Sequence, residues 1–326
     1  MKKYILIANQ QKDIEYQYAD FSYEEDLKSL FFDYTKKRIG LLKIINFMRI
    51  RETNIIYRLI FQGIFNKTIA QHLKYIEGDE YVFIVMARVY EKYGSSLVKY
   101  LKKKYPSCKL VIYIVDLIQN MRFSLREAKK QFDIVCSFDK NEAEKNDIYF
   151  VLEPFSTRYL DRIHKPDKPQ FDVSFVGAAK GRYDRIMWLF NHLTSKGLKC
   201  DFYIVGVEKK DQVKTKGIHY AWLDFEKVLV HAANSKCVAE IMQQGGYSAT
   251  TRYAEALLLN KNLITDCPAL QDAEENNIIL FNKDSDLPTE LICADNDIDN
   301  NKYIEMLSIR SFVNTIDKHL LNAGFK

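Results

Sequence analysis

Residues 237–266 read CVAEIMQQGGYSATTRYAEALLLNKNLITD, and the fold turns on how this stretch is divided. CVAEIM is an apolar run of strand length. A Gly pair follows with the hydroxyl residues Tyr247, Ser248, Thr250 and Thr251, and then a short helical pattern to about Leu259 and a second apolar run, NLITD. Strand, turn, helix and strand in that order imply two parallel strands with a helical crossover. The turn has two readings. As a plain connection it needs only Gly245, Gly246 and Thr250 as N-cap. As an anion site, the N–H groups of Thr251, Arg252 and Tyr253 point out of the helix start, and Arg252 adds a full positive charge. Glu255 fits no capping box, because Thr250 plus three is Tyr253, but it lies i,i+3 from Arg252 on one face.

The same punctuation extends in both directions. Toward the N-terminus of this half lie FDVSFVG (171–177), a helix over RIMWLFNHLTSKG, CDFYIVG (200–206), a strand-like IHYAWL and the helix DFEKVLVHAAN. Beyond it come NIILFN and a helix from about Lys302 to Leu321. STRYLDRIHKPDKPQ (156–170) carries Pro166 and Pro169 with no sustained period and reads as a linker. Before it, YILIA (4–8), YVFIVM (81–86), KLVIYIVD (109–116), DIVCSFD (133–139) and YFVLEP alternate with helices over SSLVKYLKKKYP, SLREAKKQ and KNEAEKND. Strands without alternation between helices mean parallel sheets covered on both faces. The expected fold is α/β, with two Rossmann-like doubly wound domains facing a cleft. They span 1–155 and 171–300, joined by 156–170, and a terminal helix in 301–326 is expected to pack back on the first.

The chain has 326 residues, 47% of them hydrophobic and 28% charged, enough for two ordinary domains. No run approaches the roughly 20 apolar residues of a membrane span. MKKYILIANQQ turns polar too soon for a signal peptide, so a cytoplasmic location is expected. Cysteines 108, 136, 200, 237, 267 and 293 show no C-x-x-C spacing and read as reduced core residues. Histidines 72, 164, 192, 219, 231 and 319 show no H-x-x-x-H pattern, and no bound metal is expected. Net charge is +5, concentrated between Lys36 and Lys67, where eight basic residues meet only Glu52. That block, interleaved with apolar residues, reads as basic amphipathic helices: an ordinary solvated face, or a surface for anionic headgroups or a phosphorylated acceptor. Nucleic acid is a weaker choice at pI near 8.6.

No dinucleotide fingerprint is present. NQQKD after the first strand lacks glycine, and Gly177 and Gly181 in VGAAKGRYD do not make G-x-G-x-x-G or a P-loop. VGAAKGR nevertheless ends a buried strand in a glycine-flanked turn with two readings: a plain connection with solvated charges, or a ligand site where Lys180 and Arg182 face a phosphate. Two such turns at strand ends in one half should line one site.

FDVSFVGAAKGRYD, CDFYIVG and SKCVAEIMQQGGYSATTRYAEALLLNKNLITD together resemble the C-terminal half of bacterial GT-B glycosyltransferases of lipopolysaccharide and capsular polysaccharide biosynthesis. KLVIYIVDLIQNMRFSLREAKKQFDIVCSFDKNEAEK is similar to the acceptor-side domain, so the resemblance covers most of residues 80–270. It implies a nucleotide-sugar donor held by the second domain, and a glycan or lipid-linked glycan acceptor held by the first. It also implies a donor site of Gly177, Lys180, Gly181, Arg182, Gly246, Ser248, Thr250, Thr251, Arg252 and Glu255. Arg252 and the turn amides would neutralise the diphosphate, and Glu255 would accept from ribose or sugar hydroxyls. No cofactor or metal is implied, since a helix N-terminus with Arg or Lys stabilises a leaving diphosphate and no D-x-D pair lies in a strand-end loop. Ser248 stands where the family usually has glycine, a departure that bears on turn geometry.

In the first domain, Asp116 ends a strand where an inverting transferase would hold a base, or else caps the following LIQNM turn or forms a salt bridge. Arg88 is placed to meet an acceptor phosphate or carboxylate. Two other classes share the fold expectation: a membrane-associated scaffold docking through 36–67, and a sugar-nucleotide epimerase or hydrolase.

Overall fold

The computed structural model describes residues 2–32, 70–71, 78, 80–160, 163–164, 166–272, 277–282, 284, 286–296 and 301–325. The basic block at 36–67 lies outside the described residues. The chain divides into two units, Met1–Leu152 with Phe312–Lys326, and Glu153–Ser311. The proline-bearing 156–170 stretch thus falls within the second unit.

In the first unit the strands are β1 (Lys2–Asn9), β2 (Leu27–Phe32), β3 (Glu80–Met86), β4 (Lys109–Ile114), β5 (Ile134–Ser137) and β6 (Tyr149–Phe150). They form one parallel sheet in the order β2-β1-β3-β4-β5-β6. Its central strands are apolar because both faces are covered: Ile5, Leu6, Ile7, Phe83, Ile84, Val111 and Ile112 have no exposed surface. Helices α1 (Lys12–Gln17), α2 (Ala87–Tyr93), α3 (Ser95–Lys104), α4 (Leu125–Gln131) and α5 (Lys140–Lys145) connect them. Ser124 Oγ and Asp139 Oδ1 cap α4 and α5 at the third backbone N–H of each. β2 and α2 are absent from the pattern read along the sequence. Asp116 lies two residues beyond β4, in a turn, rather than on the strand.

The second unit contains β7 (Phe171–Ala178), α6 (Tyr183–Ser195), β8 (Cys200–Val205), β9 (Ile218–His219), α7 (Phe225–Ala233), β10 (Ser235–Glu240), α8 (Thr251–Leu258), β11 (Asn262–Thr265), β12 (Ile278–Leu280), α9 (Thr289–Cys293) and α10 (Asn301–Met306). Its parallel sheet runs β12-β11-β10-β7-β8-β9. Strand alternation sorts the two faces. Cys237, Ala239 and Ile241 pack with Ile186, Phe190 and Ile292 of α6 and α9. Val238 and Leu263 pack with Ala232, Leu257 and Tyr303 of α7, α8 and α10. Helices therefore cover both sides. The last helix, α11 (Ile309–Asn322), carries the boundary between the units.

Candidate functional site

The strand order of the second unit reverses between β7 and β10, the first and fourth strands of that unit. In an open parallel sheet, ligands bind beyond the carboxyl ends of the strands at such a reversal. The two turns singled out by sequence leave from those two ends.

After β7 the chain turns through Lys180 and Gly181 at φ of +39° and +75°. Gly181 fits that conformation because it has no Cβ, and Lys180 is exposed. Gly177 is required for a different reason. A Cβ there would sit 2.8 Å from the Phe175 ring and 3.2 Å from the Arg182 guanidinium. Arg182 Nε donates to Ala178 O at 3.0 Å and Nη1 donates to Ile241 O, and the guanidinium packs on the Phe175 ring at 5.9 Å. Burial lowers its pKa to about 10. Arg182 therefore clamps the end of β7 to the end of β10, and much of its donor capacity is spent on carbonyls before any phosphate arrives.

Beyond β10, the loop is held by residues that the sequence reading did not single out. Arg185 donates to Met242 O and to Asp266 Oδ2, while Asp266 Oδ1 accepts from Met242 N at 2.6 Å. Burial raises the Asp266 pKa against the pull of this hydrogen bond and of Arg185. Glu240, the last residue of β10 and 1% exposed, accepts from Thr250 N, Thr250 Oγ1 and Thr265 Oγ1, each at 2.7 Å. Its pKa is raised by desolvation, which these three hydrogen bonds oppose. The one sequence signal for Glu240 and Asp266 is an acid closing an apolar run, in CVAE and NLITD.

Within the turn, the two glycines have different roles. Gly245, not Gly246, takes the left-handed conformation, at φ +86°. Gly246 instead lies close to Met242 and Gln243, 3.2 and 3.3 Å from where a Cβ would be. Ser248 is buried and has no positive φ, so serine meets no backbone penalty where the resembled family has glycine. Thr250 is the N-cap of α8, its Oγ1 accepting from Arg252 N at 3.2 Å. Tyr253 N donates to Thr250 O at 3.0 Å. Two of the three amides expected to face a ligand are thus used within the cap, and the Thr251 N–H remains.

Arg252 and Glu255 come together as their i,i+3 spacing requires. Arg252 Nη1 is 2.7 Å from Glu255 Oε2, with side chains 19% and 0% exposed. The contact is an ion pair without hydrogen-bond alignment, and both Glu255 oxygens are buried with no donor aligned on them. Burial lifts the Glu255 pKa to about 7, with Arg252 lowering it and Glu240 raising it. A buried carboxylate beside a half-buried arginine, at a helix start and a sheet reversal, is equipped to receive hydroxyl donors next to an anion.

In the first unit, Arg88 and Asp116 are also neighbours, but they serve each other. Arg88 Nη2 donates to Asp116 Oδ2 at 3.1 Å, and Nη1 donates to Glu91 Oε2 at 3.1 Å and Asn120 O at 3.3 Å. Asp116 Oδ1 accepts from Leu117 N and Asn120 Nδ2, both at 2.8 Å. Glu142 accepts from Ile118 N in the same loop. These contacts fit the capping and salt-bridge reading of Asp116, and they set two carboxylates against the Arg88 charge.

Two six-stranded parallel sheets in an α/β chain define the GT-B architecture of two Rossmann-like domains. Solved structures agree. The chain is similar in fold to a UDP-forming α,α-trehalose-phosphate synthase from Burkholderia xenovorans, at 8% identity, 100% of each chain and TM-score 0.57. It is similar to an α-glucosyltransferase in complex with UDP and a 13-mer DNA containing an HMU base, at 12% identity, 97% of this chain, 93% of that chain and TM-score 0.53. A trehalose-6-phosphate structure from E. coli bound with UDP-2-fluoro glucose matches at 9% identity, 99% of this chain, 95% of that chain and TM-score 0.50. Neither a protein-family model nor a curated protein matches the chain. At these identities the likeness is one of fold. Among the described residues no helix is long and apolar enough to cross a membrane.

Proposed function

We propose that the protein is a glycosyltransferase that moves a sugar from a nucleotide-sugar donor to a glycan or lipid-linked glycan acceptor in surface polysaccharide assembly. The observation that carries this reading is the Arg252–Glu255 pair: a buried carboxylate ion-paired through Oε2 to a cation, with no hydrogen-bond donor aligned on either oxygen, at the sheet reversal of the second unit. Arg252, the Thr251 N–H and Lys180 meet the diphosphate, where negative charge grows as the sugar leaves. Glu255 accepts from donor hydroxyls. Metal independence belongs to the same proposal, since cation and amide donors perform the task of a divalent ion. UDP is the first nucleotide to test, because the similar structures named above form or hold UDP. The assignment to lipopolysaccharide or capsule rests on the sequence resemblance, and contact of 36–67 with an anionic membrane rests on charge pattern.

Calorimetry against UDP-, GDP-, dTDP- and CMP-sugars tests the donor site, and binding of none of them overturns it. Arg252→Ala should weaken the bound nucleotide by roughly ten- to a hundredfold, the worth of a charge-assisted hydrogen bond. Cys237→Ser, in the sheet interior, should leave the affinity unchanged. Product analysis with and without lipid extract then separates transfer, which needs the acceptor, from hydrolysis or epimerisation, which do not.

A further inference from the structure

Glu240 occupies a position where an apolar side chain would serve the core. It alternates with Val238 toward the face covered by α7 and α8, and it is 1% exposed. A carboxylate in such a place is costly unless its oxygens are met. Here they are met by groups that build the start of α8. Oε1 takes both the N–H and the hydroxyl proton of Thr250, and Oε2 takes the hydroxyl of Thr265, the residue paired with Glu240 across β10 and β11.

The consequence lies in the Thr250 hydroxyl, which has one proton and two lone pairs. With its proton directed to Glu240, a lone pair is left for the Arg252 N–H at 3.2 Å. The backbone entering α8 is held by the same carboxylate. That the helix start faces a ligand has independent support in Glu255, whose buried oxygens have no aligned donor. We propose that Glu240 is a positioning residue that, through Thr250, sets the cap, the free Thr251 N–H and the Arg252 side chain for an anionic ligand. The inference rests on the donor-site reading above.

Amide hydrogen exchange and UDP calorimetry on the full chain test it together. Glu240→Leu removes all three acceptors, Glu240→Asp withdraws them by one methylene, and Glu240→Gln keeps an oxygen for Thr250 while the Thr265 hydroxyl rotates to accept. In Glu240→Leu, exchange at Thr250 and Arg252 should accelerate while Val238 and Ile264 in the strands keep their protection. UDP should bind roughly ten- to a hundredfold more weakly, as expected for unmet buried partners, and Glu240→Gln should recover to within about threefold of the parent. In a Thr250→Val background, which keeps the Thr250 N–H on Glu240, Glu240→Leu should cost clearly less than it does alone. Should Glu240→Leu not fold, Glu240→Asp must show the same two losses. Protected amides with parental UDP affinity overturn the proposal, as does a full additional loss in the Thr250→Val background. A parent chain that binds no UDP overturns the donor-site reading instead, and exchange at Thr250 and Arg252 still decides whether Glu240 sets the cap.

Discussion

Ionisation of Glu255 is disfavoured, because it is fully buried with one off-axis arginine for compensation. Its folded pKa of about 7 stands above the ordinary 4.5, so between those values the folded state holds more protons than the unfolded chain. Stability must then fall as pH rises through this window, being greatest below 4.5 and lost above 7. The full effect is on the order of 3 kcal/mol at most. Glu240 and Asp266 are shifted in the same direction, so the useful quantity is a difference between two proteins. Denaturant unfolding at pH 5 and pH 8 should show the parent losing more stability than Glu255→Gln, and equal losses would assign the titration elsewhere. The sequence singled out Glu255 because its spacing from Thr250 fits no capping rule, and Arg252 because three residues join them. Glu240 stayed hidden for the opposite reason: its partners are 10 and 25 residues away and meet it only when β10, β11 and α8 are assembled.

At the level of elements, α8 is pinned at both ends by local chemistry. Its N-terminus has the Thr250 cap. At its C-terminus Asn260 adopts φ +56°, Asn260 N donates to Leu257 O and Lys261 N donates to Ala256 O, the paired bonds of a left-handed helix stop. Asn tolerates this conformation better than branched residues, which clash through Cβ. Asn260→Gly should therefore keep or slightly raise stability, while Asn260→Val should lower it by about 1–2 kcal/mol, read from thermal or denaturant unfolding. Nucleotide affinity should change little, because the lesion lies at the far end of the helix from Arg252. Long apolar strands such as β4 and β7 were legible from composition alone. Short elements were not: α2, ARVYEKY, is half charged or polar, and β2, LKSLFF, is an edge strand that among the described residues pairs only with β1. CVAEIM illustrates a boundary error with a consequence, since β10 ends at Glu240 and frees Ile241 and Met242 to accept from Arg182 and Arg185.

At the scale of the whole chain, the least local feature is the return of the C-terminal helix to the first unit. An amphipathic pattern says that a helix packs on something, and nothing in its periodicity names the surface. The folded chain supplies the reason in aromatic rings. Phe312 meets Tyr18 at 6.2 Å, Phe21 at 6.4 Å and Tyr113 at 5.0 Å between centroids, with Tyr18 and Tyr113 fully buried. Asp317 adds an ion pair with Lys2 at 2.7 Å and accepts from Tyr4 Oη, and His319 Nε2 lies 2.9 Å from Phe150 O. Residues from both ends of the chain thus complete one core. Phe312→Ala should destabilise that core by about 3–5 kcal/mol, the cost of emptying a buried phenylalanine site. The loss should be confined to one unit: amides of β1, β3 and β4 should exchange faster while those of β7 and β8 keep their protection. Equal acceleration in both sheets would mean that the helix stabilises the two units as one cooperative body, and slower loss in the first sheet than in the second would remove Phe312 from its core.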